Sequence, residues 1–203
     1  MERKLVVGLG NPGGRYAGTR HNVGYEVVDA LAIRLGMVRS VDEFNRLART
    51  KFDGLFLDGA APSGEKVLLL MPTTFMNLSG RSVQGAMSFY QLAPSDLMIV
   101  LDDVALPCGR VRLRASGSSG GHNGLKDIQR VLGTEDYPRL RLGIDAPPPH
   151  VPQRDYVLGR FTAQQRAVLD PAIDRAAEAV ETWIEKGITA AMNQFNAEEK
   201  KED

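Results

Sequence analysis

His21 is the one histidine of three that stands where a base can act, in the irregular, glycine-rich segment from Asn11-Pro12-Gly13 to His21-Asn22. An imidazole titrates near physiological pH, so it can take a proton from attacking water and hand it on. The neighbouring Arg20, Asn22 and Asn11 offer donors and acceptors but no second titrating group. A carboxylate must come from another segment, and the apolar run Leu97 to Leu101 ends in Asp102-Asp103. Asparagines close two further stretches, Asn77 after Met71 to Met76 and Asn123 after Gly120-Gly121-His122. Taken singly, His21 reads as structural, Asn77 as a helix N-cap and Asn123 as a turn residue. Together they describe a site that holds neutral amide and hydroxyl groups and hydrolyses without a covalent nucleophile.

Two literal motif matches compete with this reading. Gly8-Leu9-Gly10-Asn11-Pro12-Gly13 fits the dinucleotide fingerprint, which needs its last glycine in the opening turn of a helix. Here Pro12, Gly14 and Gly18 keep the backbone irregular to about Asn22, and Asp29 lies in a helical pattern instead of at a strand end. Gly117-Ser118-Ser119-Gly120-Gly121 fits the nucleophile elbow, with Asp145 and His150 following in order. An acid and a base only five residues apart around Pro147-Pro148-Pro149 cannot come from separate loops, so the segment reads as a flexible loop. No metal or cofactor is expected: His122 and His150 show no ligand spacing to each other or to His21. Cys108 is the single cysteine, which excludes an internal disulfide and a cysteine-rich zinc site.

The elements that must position these residues are legible as alternating β and helical patterns. Strand-like runs are Lys4 to Leu9, Lys66 to Met71, Leu97 to Leu101, Arg110 to Arg114 and Leu140 to Ile144. Between them, Val23, Val27, Val28, Leu31 and Leu35 recur at helical spacing, as do Val83, Met87 and Tyr90. This alternation predicts an α/β domain with helices on a largely parallel or mixed sheet. Leu55-Phe56-Leu57 before Asp58-Gly59 reads as a strand entering a turn, within the poorly patterned stretch 39–64. Thr162 and Gln165 have capping-box spacing, and Asp170-Pro171 predicts the start of a second C-terminal helix with Ile173, Ala176, Ala177, Val180 and Ile184 as its apolar stripe. With 203 residues, one domain over 1–196 and a charged tail over 197–203 are expected. No apolar run suffices for a membrane span, and the N-terminus is too short in apolar residues for a signal peptide, so a cytoplasmic protein is expected.

The blocks Gly8 to Gly13 with Tyr16, Thr19-Arg20-His21-Asn22 and Gly24 closely resemble the opening signature of bacterial-type peptidyl-tRNA hydrolases. Pro72 to Gly80, Asp102-Asp103 with Leu106-Pro107 and Gly109, and Gly117-Ser118 through Lys126 are similar to three further family signatures. Tyr137 to Ile144 and Tyr156 to Phe161 extend the resemblance along nearly the whole chain. It implies a monomeric enzyme with one mixed sheet flanked by helices on both sides, no obligate protein partner and peptidyl-tRNA as substrate. His21 would be the general base and Asp102 its partner, with Asn11, Tyr16, Phe75, Asn77 and Asn123 binding substrate. Which asparagine would bind the oxyanion stays open. Arg114 and Arg139 match basic positions that hold tRNA phosphate. Ala105 and Cys108 depart from the usual pattern, which more often has an acid and an ordinary loop residue. A relative that assists RNA splicing without turnover is disfavoured because His21, Asp102 and all three asparagines are present.

Charge fits this reading only locally. The chain is formally neutral, with 25 basic and 25 acidic residues. Between positions 110 and 141, however, seven arginines and lysines face three acids, an excess of four. A cluster of that kind is suited to phosphate contacts that are independent of sequence and sensitive to salt.

Overall fold

The computed structural model describes residues 3–197. The charged tail expected at 197–203 lies outside them, Ala197 excepted. A seven-stranded mixed sheet has the order β2-β3-β4-β1-β5-β7-β6, with β1 Arg3–Gly8, β2 Arg49–Lys51, β3 Gly54–Ala60, β4 Lys66–Pro72, β5 Leu97–Asp103, β6 Val111–Arg114 and β7 Arg139–Gly143. The four central strands β4, β1, β5 and β7 run parallel, and the pairs β2·β3, β3·β4 and β6·β7 are antiparallel. The α/β reading therefore holds, with helices on both faces as expected.

Side chains alternate along the central strands and so supply two cores. Val6, Met98, Val100 and Leu140 face α1 (Val23–Arg34) and α6 (Ala163–Phe195), meeting Val27, Leu31, Ile173, Val180 and Trp183. Leu5, Val7, Ile99 and Leu101 face the other way, onto Val83 and Met87 of α3 (Ser79–Tyr90) and Leu125 and Ile128 of α4 (Asn123–Leu132). The carboxyl ends of the parallel strands share one edge, where α/β sheets place their ligand crevices. Residues Leu9 to Asn22 leave β1 there, beside the end of β5.

Three local expectations need correction. Asp58-Gly59 is no turn: β3 runs through both. The strand enters its turn only at 62–64, and it is preceded by a tight turn at Phe52 and Asp53, both with positive φ, the geometry of a type I′ turn that more often uses asparagine and glycine. The stretch 39–64 also holds α2 (Val41–Leu47), whose N-cap Ser40 accepts from the Glu43 amide while the Glu43 carboxylate accepts from the Arg39 amide. Asp170-Pro171 opens no second helix, because α6 continues through Pro171. Leu169, Ala172, Ile173 and Ala176 on either side are all buried, so packing on the sheet outweighs one missing backbone bond. The break falls at Gly187, with φ 80°, a conformation glycine adopts freely. The capping box of Thr162 and Gln165 at the start of α6 is formed as expected.

The register of α1 on the sheet depends on Gly24. A Cβ on it would stand 2.5 Å from the Leu9 nitrogen and 2.6 Å from the Leu9 and Val100 carbonyl oxygens, and none of these backbone atoms can swing aside. Gly24→Ala is expected to lower the unfolding free energy by about 3 kcal/mol, the upper end of ordinary overpacking, in urea denaturation. Gly14→Ala, where nothing lies within 4 Å, should leave the same midpoint nearly unchanged.

Candidate active site

Beyond β1 the chain turns through two short 3-10 segments before α1 begins, the second being Arg20–Asn22. Asn22 uses its whole side-chain amide on the backbone of Asn11: its Oδ1 accepts from the Asn11 N–H and its Nδ2 donates to the Asn11 carbonyl, both at 2.9 Å. Asn11, fixed in this way, accepts from the Met76 amide through Oδ1 at 2.9 Å. That bond anchors the 3-10 turn Met76–Leu78 and leaves the Asn11 Nδ2 group for the cleft. An amide that closes one loop and presents N–H groups to another is a good substrate donor.

His21 is buried, and its Nδ1 lies 2.8 Å from Oδ1 of Asp102. A carboxylate only accepts, so Nδ1 carries the hydrogen and Nε2 keeps a lone pair. Asp102, 3 % exposed, has a second partner that sequence reasoning missed: His122 Nε2 at 3.0 Å from the same oxygen. His122 is the N-cap of α4, and its Nδ1 accepts from the Gly124 and Leu125 amides. That contact places the hydrogen on Nε2, pointing at Asp102. The two rings stand 4.9 Å apart, centre to centre. Burial alone would raise the Asp102 carboxyl pKa, but the two imidazoles beside it outweigh burial and hold it well below the ordinary carboxylate range.

The expectation that His122 has no ligand-type relation to His21 is therefore wrong in space. One ligand-type atom from each of His21, Asp102 and His122 lies within 4.8 Å of the others. The donor set does not suit a cation, however. A metal on His122 Nε2 would push the ring hydrogen to Nδ1, against two backbone N–H groups already directed there. The geometry is that of a hydrogen-bonded triad.

A cleft of about 820 Å³ opens over the triad, lined by Asn11, Tyr16, Phe75, Asn77 and Asn123 together with His21 and Asp102. All the residues expected to form the site from sequence thus meet in one place, apart from the two arginines. Asn77 is not a helix N-cap, since Leu78 holds that position at α3, and Asn123 is the first residue of α4. Both are exposed, and no hydrogen bond ties either side chain to the described residues. Phe75 is 56 % exposed, an apolar ring at the mouth of a polar cleft.

The phosphate contact expected of Arg139 is corrected. Arg139 is 2 % exposed, and its guanidinium donates to the carbonyls of Gly117, Ser118, Glu135 and Tyr137. It pins the loop that leads to His122. Two other cations line the cleft, Arg154 and Arg141; the latter lies two residues on and is paired with Asp103. Arg114 is exposed but pairs in register with Arg139, whereas Asp103 pairs with Gly143. Four strand residues, roughly 13 Å, separate it from the level of Asp103. At the departures from pattern, the Ala105 amide is held by Asp103 and the Cys108 amide by Asp145, each at 2.8 Å.

Neither decoy motif gains support. Gly13 opens a 3-10 turn and α1 begins only at Val23. Asp29 lies on that helix, its carboxyl pushed up to about 7 by burial and by Glu26. In the elbow reading, Asp145 is engaged by Cys108 and Gln165, and His150 is exposed.

Comparison with known proteins points one way. The family model for peptidyl-tRNA hydrolase matches residues 5–203. A peptidyl-tRNA hydrolase of Halalkalibacterium halodurans is 45 % identical over 95 % of this chain and 100 % of its own length. One from Symbiobacterium thermophilum is 48 % identical over 95 % and 98 %. The crystal structure of the Acinetobacter baumannii peptidyl-tRNA hydrolase superposes with a TM-score of 0.85 at 38 % identity, covering 96 % of this chain and 94 % of that one.

His122 gives the geometry a test. His122→Ala removes the acceptor for the first amides of α4, expected to cost about 1 kcal/mol, and takes one donor from Asp102. A carboxyl held below its unfolded pKa contributes stability at higher pH that is lost as pH falls through the folded value. With the folded value closer to normal, acid unfolding followed by circular dichroism should begin at a higher pH in the variant.

Proposed function

We propose that this chain, which belongs to the peptidyl-tRNA hydrolase family and hydrolyses the ester of peptidyl-tRNA, does so with His21 as the general base for an attacking water. The observation that carries the assignment of His21 is the 2.8 Å bond from Nδ1 to Asp102, which leaves Nε2 facing a cleft lined by three asparagines. Water held at Nε2 loses its proton to the ring as its oxygen attacks the carbonyl carbon of the peptide's last residue. Asp102 stays ionised, keeps the ring oriented and stabilises the imidazolium that forms. The tetrahedral oxyanion meets amide N–H groups; Asn11 Nδ2 is the best placed, because its carbonyl is locked onto Met76. A donor of this type is typically worth on the order of a hundredfold in rate. Collapse breaks the bond to the ribose oxygen, which takes the proton back from Nε2. The products are free tRNA and a peptide with a free carboxylate.

Neutral amides around the ester suit peptides of any sequence, while cations suit the tRNA backbone. Arg141 at the cleft and the exposed Arg114 on β6 are assigned phosphate contacts. Exposed Lys126 and Arg130 on α4 extend the same positive region. A monomer acting in the cytoplasm without a protein partner completes the reading. No helix among the described residues is long and apolar enough to cross a membrane.

His21→Ala is expected to fold and to lose hydrolysis of peptidyl-tRNA by at least about a hundredfold, measured as released peptide. Near wild-type turnover in that variant would refute the base assignment. Arg114→Ala should weaken tRNA binding and flatten the slope of log affinity against log salt by about one unit, with no change in the pH profile.

A further inference from the structure

Arg20, the residue before the base, is buried at 7 % exposure, yet no carboxylate among the described residues pairs with its guanidinium. Its Nη1 donates to the Tyr156 carbonyl at 3.2 Å and its Nη2 to Gln165 Oε1 at 2.8 Å. The guanidinium carbon lies 4.1 Å from the centre of the Tyr156 ring and 5.4 Å from that of Phe161. Its backbone N–H donates to the Gly159 carbonyl at 3.0 Å, and Thr19 bridges to Arg160. Every one of these partners belongs to residues 156–165.

That segment includes part of one wall of the cleft. In α5 (Gln153–Val157) and at its cap, Gln153, Arg154, Val157 and Leu158 line the same cleft as Phe75 and Asn77. Tyr156 points inward, its hydroxyl donating to the Ile144 carbonyl at 2.6 Å. Gln165 passes the link onward, donating to Asp145, whose other oxygen accepts from the Cys108 amide. Arg20 is therefore the junction between the turn that carries His21, the α5 wall, and the loop after β5.

We propose that Arg20 is a positioning residue, which sets the distance between the α5 wall and His21 and thereby the substrate affinity of the cleft. A buried cation without a carboxylate is a poor way to gain stability, since its desolvation is offset only by neutral acceptors and ring faces. What the planar fork provides is geometry: two donors and a stacking face fix α5 in position and orientation at once. Lysine has the charge without the fork. The guanidinium packs closely on the backbone at Gly159, where a Cβ would stand 3.0 Å from Arg20 Nη1.

The inference rests on the cleft being the substrate site, and the test separates the two. Arg20→Lys should raise KM for peptidyl-tRNA about tenfold while kcat stays within about twofold, because the base and Asp102 are untouched. Gln165→Leu, which releases the fork from its far side, should act in the same direction and serves equally if Arg20→Lys fails to fold. In an Arg154→Ala background the effect of Arg20→Lys on KM should shrink severalfold, since the two changes then disturb one wall. An unchanged KM, a fall in kcat alone, or effects that multiply independently would overturn the proposal. Failure of the cleft assignment itself would instead appear as full activity in His21→Ala.

Discussion

A carboxylate removed from water needs donors aimed at it, and at Asp102 those donors are two imidazoles that arrive from segments about a hundred residues apart. One oxygen accepts from His21, in the turn after β1, and from His122, at the head of α4. Either ring alone would leave a buried charge half satisfied, which costs more than the bond it makes. The rest of the structure can be understood as what holds three short segments to that oxygen. β5 carries Asp102 through the centre of the sheet, Gly24 lets α1 close onto the strand ends, and the loop before α4 is tied down by Arg139.

Much of that fastening is done by polar side chains acting as extra backbone. Asn22 pairs with both polar groups of Asn11, and Asn196 does the same for Leu113 on the edge strand β6. Arg139 gathers four carbonyls that lie outside the strands and helices. Segments around a site cannot be regular, since regular elements use up the groups that must face a ligand, and unpaired buried groups are costly. Side-chain amides and guanidinium forks resolve this conflict, so that Asn11 both closes the structure and faces the substrate.

The same division explains the character of the cleft. Its floor is a carboxylate held between two imidazoles, its sides carry neutral amides, and Arg141 and Arg154 also line it. An ester with an arbitrary peptide on one side and a polyanion on the other is met by groups matched to each part. Arg139 and Arg141 illustrate how finely the assignment depends on place. They lie two apart on β7 and share a face, but one is covered by the loop at Gly117-Ser118 and the other reaches the open end beside Asp103.

Local pattern was enough for the parallel strands, α1, α3 and the capping box at Thr162, because burial on a strand or helix leaves a period; the set His21, Asp102, Asn11, Asn77 and Asn123 needed the family resemblance as well, since His21, Asn77 and Asn123 read singly as structural. The hairpin turn at Phe52-Asp53, the passage of α6 through Pro171 and the interior role of Arg139 were not legible, since each is a local preference overridden by packing. His122 is the clearest case. In sequence it is a lone histidine in a glycine-rich loop, and only the fold, by starting α4 beside the end of β5, brings its ring to the oxygen that already holds His21. Sequence by itself determined which chemical groups are available and on which elements they ride. The tertiary structure alone decided which of them share one atom, because that depends on distances between segments about a hundred residues apart and on no pattern within either.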